Sequence, residues 1–275
     1  MFTLNCNGRL LVINKPIVMG ILNITPDSFY KASRLQQEDM VLQLAEKMLH
    51  DGAIILDVGG QSTRPESTRL SAEEELERVL PIIELLHKNF PHAFISVDTY
   101  HATIAEKAIA AGACIINDIS GGTMDKTMLE TVGKLNVSYV CMHIKGTPET
   151  MQQNPVYENV TREVLDFFIQ QTEQCRLNNI KDVIIDPGFG FGKTSTHNFQ
   201  LLKDLSVFKM LDKPILAGLS RKATIYKTLQ ITANEALNGT TVLNTIALLN
   251  GANIMRVHDV KEAVQTIELL QAYHS

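Results

Sequence analysis

Eight times along the chain a short run rich in Val, Ile and Leu ends in a polar or charged residue, and a stretch with helical character follows. The runs are VMGILNIT, AIILDVGG, FISVDT, CIINDIS, SYVCMHI, VIIDPG, PILAGLS and IMRVHD. Near-continuous apolar character is what strands buried on both faces of a parallel sheet require. Eight β-then-α units within 275 residues predict a (β/α)8 TIM barrel. In that fold every strand C-terminus opens on one mouth. The residues ending the runs are Asn23, Asp57, Asp98, Asn117, His143, Asp186, Ser220 and the pair Arg256 and His258. They are therefore expected to surround a single pocket.

No Pro/Gly/Ser-rich linker interrupts the units, so residues 1–275 are expected to form one domain. Helical stretches are predicted near 36–51, 71–90, 101–112, 125–136, 158–179, 197–211, 233–251 and 260–273, with a further short helix starting at Ser220. Ser71 and Glu74 form a capping box at the head of the second stretch. Ahead of the first unit, Asn7-Gly8 between two apolar runs predicts a hairpin plugging the N-terminal end of the barrel. The connections at 25–35 and 60–70 are long for an α/β unit, and long mouth loops usually carry binding. With a net charge of −5 and no extended Lys/Arg cluster, nucleic acid is not an expected partner. No apolar stretch reaches membrane-spanning length, and the N-terminus lacks a secretory layout. Cys6, Cys114, Cys141 and Cys175 show no CxxC spacing, so reduced thiols and a cytoplasmic location are expected.

Asp98 and Asp186 each end a strand in a mouth otherwise lined by apolar residues. Carboxylates placed there need compensating donors. They suit metal ligation, acid/base work, or acceptance of a ligand's N–H groups. Asn117 adds both a donor and an acceptor. Asp, Asn and Asp from strands three, four and six suit a flat heterocycle with an amino-amide edge. A second cluster is cationic: Arg64 in GGQSTRPES, Arg221 and Lys222 in GLSRKA, and Arg256 and His258 in MRVHD. With a helix N-terminus near Ser220, it predicts a mono- or diphosphate site. Asn23 is placed to contact Mg2+ held mainly by phosphate oxygens and water. Phe189 and Phe191 fit an apolar wall or plain core about equally, and Met142 and Ile119 fit either a ring sandwich or core. A Schiff-base role for Lys222 is disfavoured by the adjacent Arg221. His143 has no sequence-local partner and reads as structural. The run DPGFGFGK lacks the phosphate-loop pattern.

NITPDSF, DVGGQSTRP, SVDT, INDISG, MHIKGTPETMQ, DPGFGFGK, LAGLSRK and MRVHDV, in this order, resemble the pterin-binding dihydropteroate synthase family over nearly the whole chain. The resemblance implies condensation of 6-hydroxymethyl-7,8-dihydropterin diphosphate with 4-aminobenzoate, releasing pyrophosphate. It implies that Asp98, Asn117, Asp186 and Lys222 hold the pterin, with Met142 nearby, and that Asn23 meets Mg2+. Arg64, Arg256 and His258 are then diphosphate ligands, and Thr63, Pro65, Phe191 and Ser220 shape the aminobenzoate site. A homodimer through barrel helices is also implied. Two departures stand out. YKASRLQQED replaces the family's usual glycine-bearing continuation after NITPDSF, and Gln61 stands where the family usually has Glu. The alternatives are a non-catalytic pterin-binding paralogue and a corrinoid-dependent methyltransferase. Neither would be expected to carry the STRP, SRK and RVHD cations together.

Overall fold

The computed structural model describes residues 1–24, 34–61, 70–151 and 153–275. The chain opens with an antiparallel pair, β1 (Phe2–Cys6) and β2 (Arg9–Ile13), with Cys6 opposite Arg9. Asn7 and Gly8 take φ values of 54° and 82°, the left-handed pair that a tight two-residue turn needs. Eight parallel strands follow: β3 (Ile17–Asn23), β4 (Ile55–Gly59), β5 (Phe94–Asp98), β6 (Ile115–Asp118), β7 (Ser138–Met142), β8 (Val183–Asp186), β9 (Leu216–Ala217) and β10 (Ile254–Val257). Neighbours in sequence are neighbours in space from β3 to β8, and β10 lies between β9 and β3. The ring closes more thinly between β8 and β9, through a bridge from Ile185 to Ile215. Pro214 accepts the Ile185 N–H at 3.0 Å but has no N–H to return, so the ladder stays short there.

The outer layer comprises α1 (Arg34–His50), α2 (Ala72–Asn89), α3 (Ala102–Ala110), α4 (Met128–Leu135), α5 (Val160–Leu177), α6 (Ser195–Lys203), α7 (Ala223–Leu229), α8 (Leu237–Leu249) and α9 (Val260–His274). The Ser71 capping box forms as expected: Ser71 Oγ accepts the Glu74 N–H at 3.2 Å, and Glu74 Oε2 accepts the Ser71 N–H at 2.9 Å. Two predicted helices are divided. The stretch 197–211 becomes α6 followed by a 3-10 segment (Leu205–Leu211), and 233–251 becomes a 3-10 turn (Ala233–Glu235) followed by α8.

Strand parity decides what reaches the mouth. Outward residues such as Val18, Leu56, Val97, Ile116 and Tyr139 pack beneath the helices. Inward residues Met19, Ile55, Ile115, Val140, Ile184, Leu216 and Ile254 fill the barrel floor together with Leu4, Cys6, Leu11 and Ile13 of the hairpin. The hairpin thus plugs the N-terminal end. It is tied down where Ser138 Oγ donates to Asn5 O at 2.9 Å and Arg9 Nη2 to His92 O at 2.8 Å. Two residues beyond the floor, on the same faces, lie Asp57, Asn117, Met142, Asp186, Gly218 and Arg256. All four cysteines are free and buried. No helix among the described residues is long and apolar enough to cross a membrane.

Candidate active site

The acidic and cationic clusters, separate in the sequence, interlock in the structure. Arg256 reaches across the barrel from β10. Its Nε donates to Asp57 Oδ2 at 2.7 Å and its Nη2 to Asp98 Oδ2 at 2.6 Å. Asn117 Nδ2 donates to the same Asp57 oxygen at 3.0 Å. Asp57 is fully buried, and its Oδ1 has no partner among the described residues. Burial raises the Asp98 carboxyl to about 7; Arg256 opposes that shift, while the charge of Asp57 adds to it. Burial works against the Arg256 guanidinium too, yet Asp57 and Asp98 raise it above the usual arginine value. In the sequence Asp57 stands only as a strand end. Its signal was parity, since it stands two residues past Ile55 on the inward face.

Across the mouth, Asp186 Oδ1 accepts the Gly188 N–H at 2.8 Å. Burial raises this carboxyl above the ordinary aspartate value, against the pull of Lys222. Half-buried Lys222 donates to Phe189 O at 2.5 Å, and its Nζ lies 4.7 Å from the centre of the Phe191 ring. Burial lowers Lys222 to about 8, with Asp186 partly restoring the charge. A Cβ at Gly218 would stand 3.6 Å from Lys222 Nζ, 3.9 Å from Arg256 Cβ and 4.0 Å from Asp186 Oδ2. A side chain at Gly218 would occupy the space that these three groups border. Phe191 and Met142 share a small apolar cluster with Ile119, Tyr100 and Met151, whereas Phe189 packs into the outer core. The even choice posed by the two phenylalanines thus resolves differently for each.

One expectation needs correction. No helix begins at Ser220; α7 begins at Ala223 with Lys222 at its cap. Arg221 takes φ 55°, a left-handed conformation that interrupts the helix before it starts. Its guanidinium also leaves the expected phosphate cluster, donating to Asp259 through Nε at 2.9 Å and Nη2 at 2.6 Å. Ser220 Oγ instead lies 3.1 Å from His258 Nδ1 and accepts the His258 N–H at 3.2 Å. His143 is buried, with Nδ1 2.9 Å from Lys193 Nζ. Thr63, Arg64 and Pro65 fall outside the described residues, as do residues 30–33 of the altered segment after NITPDSF and the rest of the STRP string.

Asn23 ends β3 with an exposed side chain. A Cβ at Gly59 would stand 3.5 Å from Asn23 Oδ1 and 3.7 Å from Asp98 Oδ2, so both oxygens border one gap. Among the described residues no cluster of three or more His, Cys, Asp or Glu is arranged to hold a metal. Asp98 Oδ2 is already held by Arg256, so Asn23 Oδ1 is the oxygen offered there, which fits a Mg2+ that keeps several waters and takes its other ligands from phosphate.

Beside Asp98 a small cavity is lined by Gln61, Glu75, Thr99 and Tyr100. Glu75 is 1% exposed, and neither carboxyl oxygen has a hydrogen bond of good geometry among the described residues. Burial raises it to about 7, only partly offset by Thr99 and Arg78. The folded protein therefore binds a proton there that the unfolded chain releases. That contribution to stability is complete below the unfolded value near 4.5 and is lost as pH rises through about 7. Glu75→Gln should match the parent at pH 4 and exceed it by about 1–3 kcal/mol at pH 8. Urea denaturation at the two pH values checks this; an equal stability difference at both would contradict it.

A family described as pterin binding enzymes matches residues 19–258. The chain is 42% identical over 271 residues to a dihydropteroate synthase of Haemophilus influenzae, covering 98% of each chain. Its fold superposes on the Yersinia pestis dihydropteroate synthase in complex with a sulfonamide drug, with TM-score 0.93, 38% identity and 99% of both chains covered. The Xanthomonas albilineans dihydropteroate synthase in complex with 7,8-dihydropteroate is similar at TM-score 0.89 and 34% identity, again with 99% of both chains covered.

Proposed function

The chain belongs to the dihydropteroate synthase family of pterin binding enzymes, and from that membership we propose how its mouth joins a dihydropterin diphosphate to 4-aminobenzoate. It is a transferase. The observation that carries the site assignment is the convergence of Asp57, Asp98, Asn117, Asp186, Lys222 and Arg256 on one mouth.

In the proposed arrangement Asp98, Asn117 and Asp186 take the amino-amide edge of the pterin. Lys222 lies against the ring's other polar atoms, and Met142 covers a face. Burial has raised both aspartates, so the pterin's N–H groups supply the donors that let them carry charge. Arg64, Arg256 and His258 hold the diphosphate. Arg256 suits this because a guanidinium has five N–H donors and the acids use two. Asn23 would help hold Mg2+, which when bound neutralises charge on the leaving diphosphate. Thr63, Pro65, Phe191 and Ser220 shape the aminobenzoate site, where the Ser220 hydroxyl faces the aminobenzoate carboxylate.

The C–O bond from methylene to diphosphate breaks first, in an SN1-like displacement. The electron-rich dihydropterin spreads the resulting positive charge, and the carboxylates of Asp98 and Asp186 stabilise it. The amine of 4-aminobenzoate is unprotonated at neutral pH and attacks the methylene. The resulting N-protonated amine is a strong acid and gives its proton to water or the departing pyrophosphate, so no strong general base is needed. Positioning and electrostatics supply most of the acceleration. A non-catalytic paralogue would have little use for the cations that follow β9 and end β10, and Lys222, Arg256 and His258 are all present.

The enzyme is proposed to be a cytoplasmic homodimer. Exposed Leu229, Leu237, Val242, Ile246 and Leu249 on α7 and α8 give that pairing an apolar face, and sedimentation equilibrium tests it. For the reaction, purified protein with both substrates and Mg2+ should form 7,8-dihydropteroate, and EDTA should suppress turnover. Pterin binding without product would contradict the catalytic assignment.

A further inference from the structure

Lys193 closes the run DPGFGFGK, and its side chain folds back beneath the loop it ends, only 3% exposed. Its Nζ lies 2.9 Å from His143 Nδ1, 2.9 Å from Gly188 O, 3.1 Å from Phe191 O and 3.4 Å from His143 O. A buried ammonium is usually matched by a carboxylate, yet its hydrogen bonds go to carbonyls and an imidazole. Burial pushes Lys193 well below the usual lysine value and His143 well below the usual histidine value. A neutral imidazole protonated on Nε2 leaves Nδ1 as an acceptor. Gly188 O, Phe191 O and His143 Nδ1 are then three acceptors gathered around the lysine's N–H groups.

The loop runs in close contact with the residue that follows β7. Gly188 has φ 68°, and a Cβ there would stand 1.9 Å from His143 O. On its other side the same loop faces the mouth. Asp186 accepts the Gly188 N–H, Lys222 donates to Phe189 O, and the Phe191 ring lies beside Lys222. Segment 188–191 is thus a thin partition, gripped by ligand-facing groups on one side and by Lys193 on the other.

We propose that Lys193, with His143 as its acceptor, is a positioning residue that sets the Phe191 ring for 4-aminobenzoate. The proposal rests on the assignment of Phe191 to the aminobenzoate site. Lys193 touches no substrate; it acts through the Gly188 and Phe191 carbonyls. Misplacing that wall should weaken aminobenzoate binding more than pterin binding, because two of the pterin's four ligands, Asp98 and Asn117, are held independently of it, and Asp186 and Lys222 meet the loop only through its backbone.

Steady-state kinetics on Lys193→Met, His143→Leu and His143→Asn test this, alongside calorimetric binding of dihydropterin diphosphate to count competent sites. In Lys193→Met the KM for 4-aminobenzoate should rise about tenfold or more, with pterin affinity within about threefold of wild type. His143→Leu should give the same split at smaller size. His143→Asn, which keeps an oxygen acceptor, should restore most of it. Should Lys193→Met fail to fold, the two His143 variants carry the test. An unchanged KM for aminobenzoate, with activity lost only in proportion to competent sites, would reduce Lys193 to a structural bolt and overturn the proposal. Wild-type protein that makes no dihydropteroate would instead remove the assignment beneath it.

Discussion

Replacing Arg256 with methionine should lower kcat/KM by about a hundredfold to a thousandfold or more, and destabilise the fold by about 3–5 kcal/mol. Both effects come from one guanidinium. In the folded protein it is the shared counter-charge of Asp57 and Asp98, at 2.7 Å and 2.6 Å, with Asp57 fully buried. Removing it strands two buried carboxylates and leaves the Asn117 amide, at 3.0 Å, as the remaining side-chain donor to Asp57 among the described residues. In the reaction it also supplies a cation to the departing diphosphate. The two losses can be separated. Adding Asp57→Asn to Arg256→Met removes one stranded charge, so urea denaturation should show stability partly recovered while turnover stays low. Arg256→Lys keeps the charge but cannot fork between two carboxylates, so it should fall between the parent and the methionine variant. Turnover within tenfold of wild type for Arg256→Met would contradict the assignment.

Asp186→Asn should weaken binding of the dihydropterin diphosphate by about a hundredfold while leaving the fold intact. Asparagine keeps an oxygen to accept the Gly188 N–H, so the loop that carries Phe191 stays in place. What changes is the second oxygen, which becomes an NH2 group aimed at the pterin's own donors. A site built to accept a ligand's N–H groups is penalised heavily when an acceptor becomes a donor. Lys222 also loses the charge that partly restores its own against burial, and should titrate lower than about 8. Calorimetry with the dihydropterin diphosphate reads the first effect directly. Affinity within threefold of the parent would place the pterin elsewhere.

The barrel was legible because each strand is buried on both sides and each ends in a polar residue, a pattern visible without coordinates. The hairpin followed from Asn7-Gly8 alone. Asp57, by contrast, looked like any strand end, because its importance comes from parity and from an arginine 199 positions away. Arg221 misled in the opposite direction. Adjacent to Lys222 in sequence, it is turned by a left-handed backbone toward Asp259, which pattern reasoning does not show. The same conformation moved the expected helix start from Ser220 to Ala223. Lys193 was quoted within a glycine-rich string, but only the close approach of Gly188 to His143 O shows why the lysine folds beneath it.

Release of pyrophosphate from the dihydropterin diphosphate, followed with Mg2+ present and with or without 4-aminobenzoate, tests the central claim most directly. Rapid release that depends on 4-aminobenzoate and yields 7,8-dihydropteroate mole for mole is the expected result. Binding of the pterin with neither release nor product would contradict it, leaving a barrel that holds pterins without transferring them.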